Sequence, residues 1–245
     1  MKQIKNWRNA TVADIEADNL LDDATLIHVL SYKMVGKDVK SIDKTNQYKR
    51  IEKFFQHHID NQIPIVFHNG ISYDIPLVEK LLGMDLSKLM VIDTLGLSWH
   101  LNPDRKSHGL DSFFEDYGIE KPHIDDWEGL TYEEYKFRCE TDCEINLALW
   151  EDLASRLEDM YSRSKEAIDN GLVGGKRVDE NEEIYLDRLV GISVDEHIDR
   201  LLTFINFKLD CNRLQEKTRW KVDVPFLEES LAELNGLLET AQTEL

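Results

Sequence analysis

The chain has 245 residues, of which 42% are hydrophobic and 31% are charged, and its formal net charge is −19. This balance can build a folded core, and because no run of about 18 apolar residues occurs, we expect no membrane span. The acidic excess argues against broad binding to duplex nucleic acid, which needs many phosphate contacts. It is compatible with an acidic pocket that accepts one strand end through metal ions, while another subunit supplies a basic groove.

The cysteines and the N-terminal residues bear on location. Cys139, Cys143 and Cys211 form an odd set without zinc-ligand spacing, which favours reduced thiols. No apolar segment follows the charged N-terminal residues, so they do not form a secretory signal. We therefore expect a cytoplasmic protein.

Short apolar runs alternate with helical periodicity over about residues 9–160, which predicts an α/β domain. The predicted strands are residues 10–17, 26–32, 63–70 and 90–94, and the predicted helices are residues 48–60, 75–82, 110–117 and 132–156. Residues 161–245 carry helical spacing without a strand signal, including a predicted helix over 226–238. A flexible loop is predicted at 170–175, and the acid-rich residues 178–199 suit a solvated face.

The first predicted strand carries two carboxylates among apolar residues. Side chains alternate along a strand, so Asp14 and Glu16 point to the same face. Paired carboxylates are costly in a dry setting unless a cation satisfies them, and Mg²⁺ or Mn²⁺ prefers oxygen ligands. The pair predicts a metal site if further acids join it; otherwise it is a solvated acidic face.

Further acids stand at the ends of apolar runs. Asp74 follows the third predicted strand, where ligands commonly bind, although Asp also caps helices well. Asn69 has the same ambiguity, because Asn-Gly is an ordinary turn dipeptide. Asp142 falls on the apolar side of the long predicted helix, whereas Glu140 and Glu144 are expected to face solvent.

Taken in order, these residues resemble the successive motifs of DEDD-type 3′–5′ exonucleases, and most closely the proofreading domain of bacteriophage family A DNA polymerases. The resemblance covers about residues 9–155. It rests on Asp14-Ile15-Glu16, His68-Asn69-Gly70 with Tyr73-Asp74, Ile92-Asp93-Thr94, Ser107-His108-Gly109-Leu110-Asp111, and Asp142.

The resemblance implies an RNase H-like exonuclease fold with a central mixed sheet over residues 1–160, followed by a helical extension over 161–245. It also implies two divalent cations, Mg²⁺ or Mn²⁺, which activate a water and stabilise the leaving 3′ oxygen. The implied metal ligands are Asp14, Glu16, Asp74 and Asp142, and the implied contacts to a single-stranded DNA 3′ end are Asn69, Ile15, His108 and Tyr73.

One position departs from the family pattern. The family places a Tyr four residues before the last Asp, or a His five before it, to orient the attacking water; here those residues are Arg138 and Phe137. In one reading activity is retained, because the metal ions suffice or because His123 or Tyr132 orients the water. Arg138 would then be catalytic, since Arg suits phosphate geometry. In the other reading catalysis is impaired and the domain supports a polymerase.

Residues 209–223 and the helix after them are similar to the segment in which phage family A polymerases pass from exonuclease into polymerase. No polymerase active-site sequence follows, so the implied partner is a separate or split-off polymerase; a plain helical appendage is the alternative. The functions that remain open are a proofreading exonuclease, a scaffold with an exonuclease fold, and a free-standing exonuclease acting on RNA.

Overall fold

A computed structural model describes residues 3–42, 45–120, 130–169, 192–218 and 223–243. The strands are β1 (Thr11–Ala17), β2 (Ile27–Lys33), β3 (Lys40–Ile42), β4 (Ile65–Phe67) and β5 (Val91–Asp93). The helices are α1 (Gln47–Asn61), α2 (Asp74–Leu82), α3 (Thr94–Leu101), α4 (Phe114–Tyr117), α5 (Tyr132–Asp169), α6 (Val194–Thr218) and α7 (Val224–Thr243). Single 3₁₀ turns occur at Trp7–Asn9 and Leu110–Ser112.

The strands form one mixed sheet in the order β3-β2-β1-β4-β5. β1 is antiparallel to β2 and parallel to β4, while β5 extends the parallel half. The central position of β1 follows from its sequence, because Thr11 to Ala13 and Ile15 are buried. The RNase H-like fold with a central mixed sheet is therefore confirmed.

Helices cover both faces of the sheet. On one face α5 is bound to the strands by polar contacts: Glu144 accepts from the Lys33 ammonium at 2.8 Å, and Glu140 accepts from the Ser41 hydroxyl at 2.6 Å. The sequence predicts that Glu140 and Glu144 face solvent, and their side chains are 25% and 42% exposed, but each also contacts a residue of the sheet. On the other face α1 packs through Phe54, whose ring centroid lies 5.0 Å from that of Tyr32.

Helix α6 completes the core of the first compact unit, residues Met1–Cys211. Its side chains Ile198, Leu202, Ile205 and Leu209 join the same buried cluster as the strands. The division predicted at residues 160 and 161 follows from resemblance and stays a prediction; by contacts alone, the compact unit continues to Cys211. The second unit, Asn212–Leu245, contains α7, which confirms the helix predicted at 226–238.

Most predicted elements occur within a few residues of their expected bounds, with three differences. Strand β3 and helix α3 are additional, and the helix predicted at 110–117 is a 3₁₀ turn followed by the short α4. The loop predicted at 170–175 and most of the acidic face at 178–199 lie outside the described residues. Among the helices that the structure describes, none has both the length and the apolar character needed to span a bilayer.

Candidate metal centre

Three carboxylates meet between β1 and α5. Asp14, Glu16 and Asp142 each present an oxygen, and these oxygens lie within 4.8 Å of one another. Asp14 and Glu16 reach this face because strand side chains alternate, which leaves Ile15 between them buried in the core. Asp142 reaches it from the helix that covers the same face. The structure thus brings together three of the four predicted metal ligands.

A buried polar network holds α5 in register with the sheet. The Thr94 hydroxyl donates to the Asn146 side-chain oxygen at 2.6 Å and also lies 3.0 Å from Nδ1 of His68. Thr94 and Asn146 are almost completely buried, so both would be costly if left without partners. Asn146 lies one helical turn after Asp142, so this network fixes the direction in which Asp142 points.

The Cys139 thiol makes a second link between α5 and β1. Its Sγ donates to the carbonyl oxygen of Asp14 at 3.2 Å. Burial, followed by the negative charge of Asp14, raises the pKa of the Cys139 thiol well above its ordinary value. The thiol therefore stays protonated and adds no further negative charge. The prediction of buried, reduced thiols is confirmed for Cys139 and Cys143.

Asp74, the fourth predicted ligand, lies in the first turn of α2 and is 4% exposed. Burial raises the pKa of Asp74 well above 3.8, and the charge of Asp14 raises it further. Its Oδ1 is buried and accepts no hydrogen bond from any residue that the structure describes. A carboxylate oxygen in that situation requires a cation or a proton.

Asp93 is also buried, but its role is structural. Its carboxylate accepts hydrogen bonds from the backbone N–H groups of Asn69, Ile71 and Leu95, each at 3.1 Å, and from Gly96 at 3.5 Å. Asp93 thereby caps the N-terminus of α3 and secures the turn that leads to Asp74.

Arg138 lies beside the three-carboxylate group. Its Nε is 3.2 Å from an oxygen of Glu16 and 3.9 Å from an oxygen of Asp142, and its side chain is 13% exposed. The guanidinium offsets part of the negative charge and cannot accept a proton from a water. This position on α5 therefore brings a permanent cation to the carboxylates.

Tyr132, a candidate for orienting the attacking water, lies at the start of α5, and Tyr135 lies nearby on the same helix. Tyr135, seven residues before Asp142, is buried and stacks on the His28 ring, with a centroid separation of 3.9 Å. Tyr132 packs against the small cluster formed by Tyr135, Val29 and Cys139. His123 lies outside the described residues.

The predicted substrate contacts fall into two groups. Tyr73 lies near the carboxylates: burial first, and then the charges of Asp74 and Glu16, raise the pKa of Tyr73 to about 12. Its hydroxyl donates to the Asn19 carbonyl at 2.7 Å. Asn69 is exposed and adopts a positive φ of 65° in the turn after β4. These two residues lie in the turn between β4 and α2 that leads to Asp74, where the Tyr73 N–H donates to the Asn69 carbonyl at 3.1 Å.

The other two predicted substrate contacts, Ile15 and His108, interact with other residues of the protein. Ile15 as a whole residue is 4% exposed, and its side chain belongs to the hydrophobic core. His108 lies in the loop before the Leu110–Ser112 turn, with Nδ1 2.8 Å from the Ser98 hydroxyl and Nε2 3.1 Å from the Arg105 carbonyl. The assignment of Asn69, Ile15, His108 and Tyr73 as substrate contacts stays a prediction.

The donor set fits a divalent cation. Asp14, Glu16 and Asp142 offer only oxygen, the ligand that Mg²⁺ and Mn²⁺ prefer, at a mutual spacing that one ion can bridge. The buried Asp74 oxygen adds a group that a cation would satisfy. Sequence reasoning did not single out Asn146, whose side-chain oxygen accepts from the Thr94 hydroxyl. The available signal was a polar residue one helical turn after Asp142.

Comparison with known proteins supports the fold. A profile of the RNase_H superfamily matches residues 12–138. The solved apo form of a nuclease has a TM-score of 0.52 at 16% identity, covering 87% of this chain and 89% of its own. Brucella melitensis NrnC with bound Mg²⁺ has a TM-score of 0.50 at 16% identity, covering 86% and 90%. No curated protein sequence matches the chain.

Proposed function

The chain belongs to the RNase_H superfamily, and from that premise we propose that it is a metal-dependent 3′–5′ exonuclease acting on single-stranded or frayed DNA ends. The observation that carries the proposal is the three-carboxylate group of Asp14, Glu16 and Asp142, with the buried Asp74 close enough for Asp14 to raise its pKa. Neighbouring carboxylates repel one another and lose hydration when buried, and metal binding is the functional explanation for such a group.

In this proposal Asp14, Glu16, Asp74 and Asp142 hold two divalent cations, Mg²⁺ or Mn²⁺. The cations would supply the positive charge that makes a water nucleophilic and stabilises the leaving 3′ oxygen. Mg²⁺ is present in the solved structure of Brucella melitensis NrnC, and the all-oxygen donor set of this chain supports the same choice here.

The remaining residues bind and orient the strand end. In the proposal, the exposed Asn69 and the partly exposed Tyr73 would contact the terminal nucleotide. His108 fixes the loop at the end of α3 through both ring nitrogens. Arg138, beside Glu16, would contact the scissile phosphate, because a guanidinium matches phosphate geometry.

A polymerase is the proposed partner. With a net charge of −19, the chain has little capacity to hold a long stretch of DNA by itself. A separate polymerase, of the phage family A type implied by the motif order, would supply the basic groove, and this exonuclease would proofread for it. Residues 161–245 would provide the docking segment.

A second candidate function is that of a scaffold with an impaired exonuclease site. The observation that favours it is the 3.2 Å separation between Arg138 Nε and an oxygen of Glu16, because a carboxylate already paired with a guanidinium is a weaker metal ligand. In that case the chain would bind cations weakly and contribute to a polymerase assembly by its surface.

The deciding experiment is digestion of a 5′-labelled single-stranded DNA with Mg²⁺ or Mn²⁺, with an RNA of the same sequence alongside. We expect a shortening ladder on DNA. The Asp142→Asn variant should lose more than the roughly 100-fold typical of changes to residues that only support a metal ligand, because it replaces a charged ligand with a neutral one. Asp152→Asn is the matched control, since Asp152 lies on the same helix with 48% of its side chain exposed.

The other outcomes are equally informative. A ladder that persists in Asp142→Asn would place the activity elsewhere or in a contaminant. A folded wild type that yields no ladder with either metal would support the scaffold. A ladder on RNA alone would keep the exonuclease but change its substrate.

A further inference from the structure

A cleft of 440 Å³ lies on the sheet face opposite the carboxylates. Thr11 and Tyr32 line it from the sheet, and α1 forms its other wall. Tyr32 pairs with Ala13, whereas Asp14 pairs with Ser31, so the alternation of side chains puts Tyr32 and Asp14 on opposite faces. The cleft is therefore separate from the proposed metal centre. Its full lining is Thr11, Tyr32, Met34, Ile42, Arg50, Lys53, Phe54, His57, His58 and Ile63.

The charge of this cleft is opposite to that of the chain. Acids make up 48 of the 245 residues, yet none of the lining residues is acidic. Arg50, Lys53 and His57 recur at helical spacing along one side of α1, so their side chains lie on the same surface. A neighbouring cleft of 570 Å³ shares Arg50 and Lys53 and adds Lys49. The ammonium and guanidinium groups of Lys49, Arg50 and Lys53 favour an anionic ligand.

The base of the cleft is aromatic and apolar. The Phe54 ring lies 5.0 Å from Tyr32 and 4.3 Å from His58, measured between ring centroids, and Ile42 is buried beneath. Nδ1 of His58 donates to the Phe54 carbonyl at 2.7 Å, and burial lowers the pKa of His58, so this imidazole adds no charge. The cations therefore stand at the rim, above a surface suited to a planar ring.

We propose that this cleft binds a nucleoside phosphate, with the base against Tyr32 and Phe54 and the phosphate between Arg50 and Lys53. Its volume is within the range of ligand sites, about 300–1,000 Å³. Aromatic rings stack on any base, and Arg and Lys both bind phosphate. A bare anion would make no contact with the aromatic rings at the bottom of the cleft. An uncharged nucleobase would make no ionic contact with Arg50 and Lys53.

The test is calorimetric binding of deoxyadenosine monophosphate to the full chain in EDTA, a condition in which no divalent cation connects phosphate to the carboxylates. We expect binding, and a loss of about tenfold or more in Lys53→Glu, because a charge-assisted hydrogen bond becomes a repulsion. Lys88→Glu is the matched control: Lys88 is exposed and does not line either cleft. Deoxyadenosine and inorganic phosphate should each bind more weakly than the nucleotide.

Three results would overturn the proposal: no binding of the nucleotide, equal loss in Lys53→Glu and Lys88→Glu, or equal affinity for inorganic phosphate. A free nucleotide and a nucleotide within a DNA strand both offer a base and a phosphate to the cleft. Binding of a 5′-phosphorylated tetradeoxyadenylate, compared with that of the mononucleotide, distinguishes these two ligands. Tighter binding of the oligonucleotide supports a strand contact, and equal binding supports a free nucleotide. Because the assay does not measure hydrolysis, its failure is distinguishable from failure of the proposed exonuclease.

Discussion

Two buried carboxylates of this protein, Asp93 and Asp74, have opposite relations to the fold. Asp74 follows the turn after β4, and Asp93, at the end of β5, accepts hydrogen bonds from that turn. Asp93 accepts four backbone N–H groups, which oppose the rise in its pKa caused by burial. Asp74 instead has like charges around it and a buried Oδ1 that accepts no hydrogen bond from the described residues. The carboxylate of Asp93 stabilises the fold through its backbone hydrogen bonds. The negative charge of Asp74 does not stabilise the folded state.

The difference shows how a structural acid is told from a ligand. Burial alone does not separate them, because Asp93 and Asp74 are 2% and 4% exposed. The number of hydrogen-bond donors separates them. A buried carboxylate that accepts hydrogen bonds contributes to stability, whereas one that accepts none costs free energy until a cation binds. Substitutions at the two positions should therefore change stability in opposite directions.

The largest expected effect on stability is at Asp93. Asp93→Ala should lower the free energy of unfolding by about 2–4 kcal/mol, because it removes a helix cap and leaves buried N–H groups without acceptors. Urea unfolding followed by circular dichroism measures this. Asp93→Asn, which keeps one acceptor oxygen, should lose less. A variant Asp93→Ala as stable as the wild type would contradict the structural role.

A smaller effect of opposite sign is expected at Asp74. In EDTA at pH 7, Asp74→Asn should be more stable than the wild type, because it replaces a buried acid beside the charge of Asp14 with a neutral side chain of the same shape. The folded protein raises the pKa of Asp74 above 3.8, so the penalty is absent below that pH and grows as the pH rises toward the folded pKa. Melting temperatures across this range measure the difference.

Two controls accompany the Asp74 prediction. The gap between the variant and the wild type should close below about pH 3.8. Addition of Mn²⁺ should stabilise the wild type more than the variant, because only the wild type has all four carboxylates to bind it. A destabilised variant in EDTA would mean that Asp74 has partners of the kind that Asp93 has.

The smallest effect is expected at Arg138, whose guanidinium lies near Glu16 and Asp142. Arg138→Gln should tighten Mn²⁺ binding at least a few-fold, since even two unit charges about 4 Å apart in water repel by about 1 kcal/mol and Mn²⁺ carries two. Titration of bound Mn²⁺ by electron paramagnetic resonance measures it. Arg156→Gln on the same helix is the control, and weaker binding in Arg138→Gln would refute the repulsion.

The sequence predicts the sheet best where one residue pattern decides the outcome. Period-two alternation places Asp14 and Glu16 on one face of β1, and the structure agrees. The sequence does not predict β3, because in an exposed edge strand of three residues only Ile42 is buried. It also misses α3, which begins directly at the end of β5 and contains Gly96, a poor helix former.

The members of the candidate site were predicted from the order of motifs along the chain, because the sequence around each residue does not indicate which other residues lie near it. Asp142 is distant from Asp14 in the chain, and only the packing of α5 against β1 brings the two together. The sequence also does not predict the contact between Arg138 and Glu16, because that contact depends on the direction of a long side chain on α5. The role of Asn146 depends on a buried partner, Thr94, from another element.

The contact between α3 and α6 has a consequence for how the chain avoids self-association. Strand β5 ends the sheet, and an unprotected edge strand is a template for pairing with another chain. Asn206 of α6 donates to the Val91 carbonyl of that strand. Gly96 permits the approach, since a Cβ there would lie 2.6 Å from Leu209. A chain shortened at residue 160 would lack this cover and expose a strand ready to aggregate.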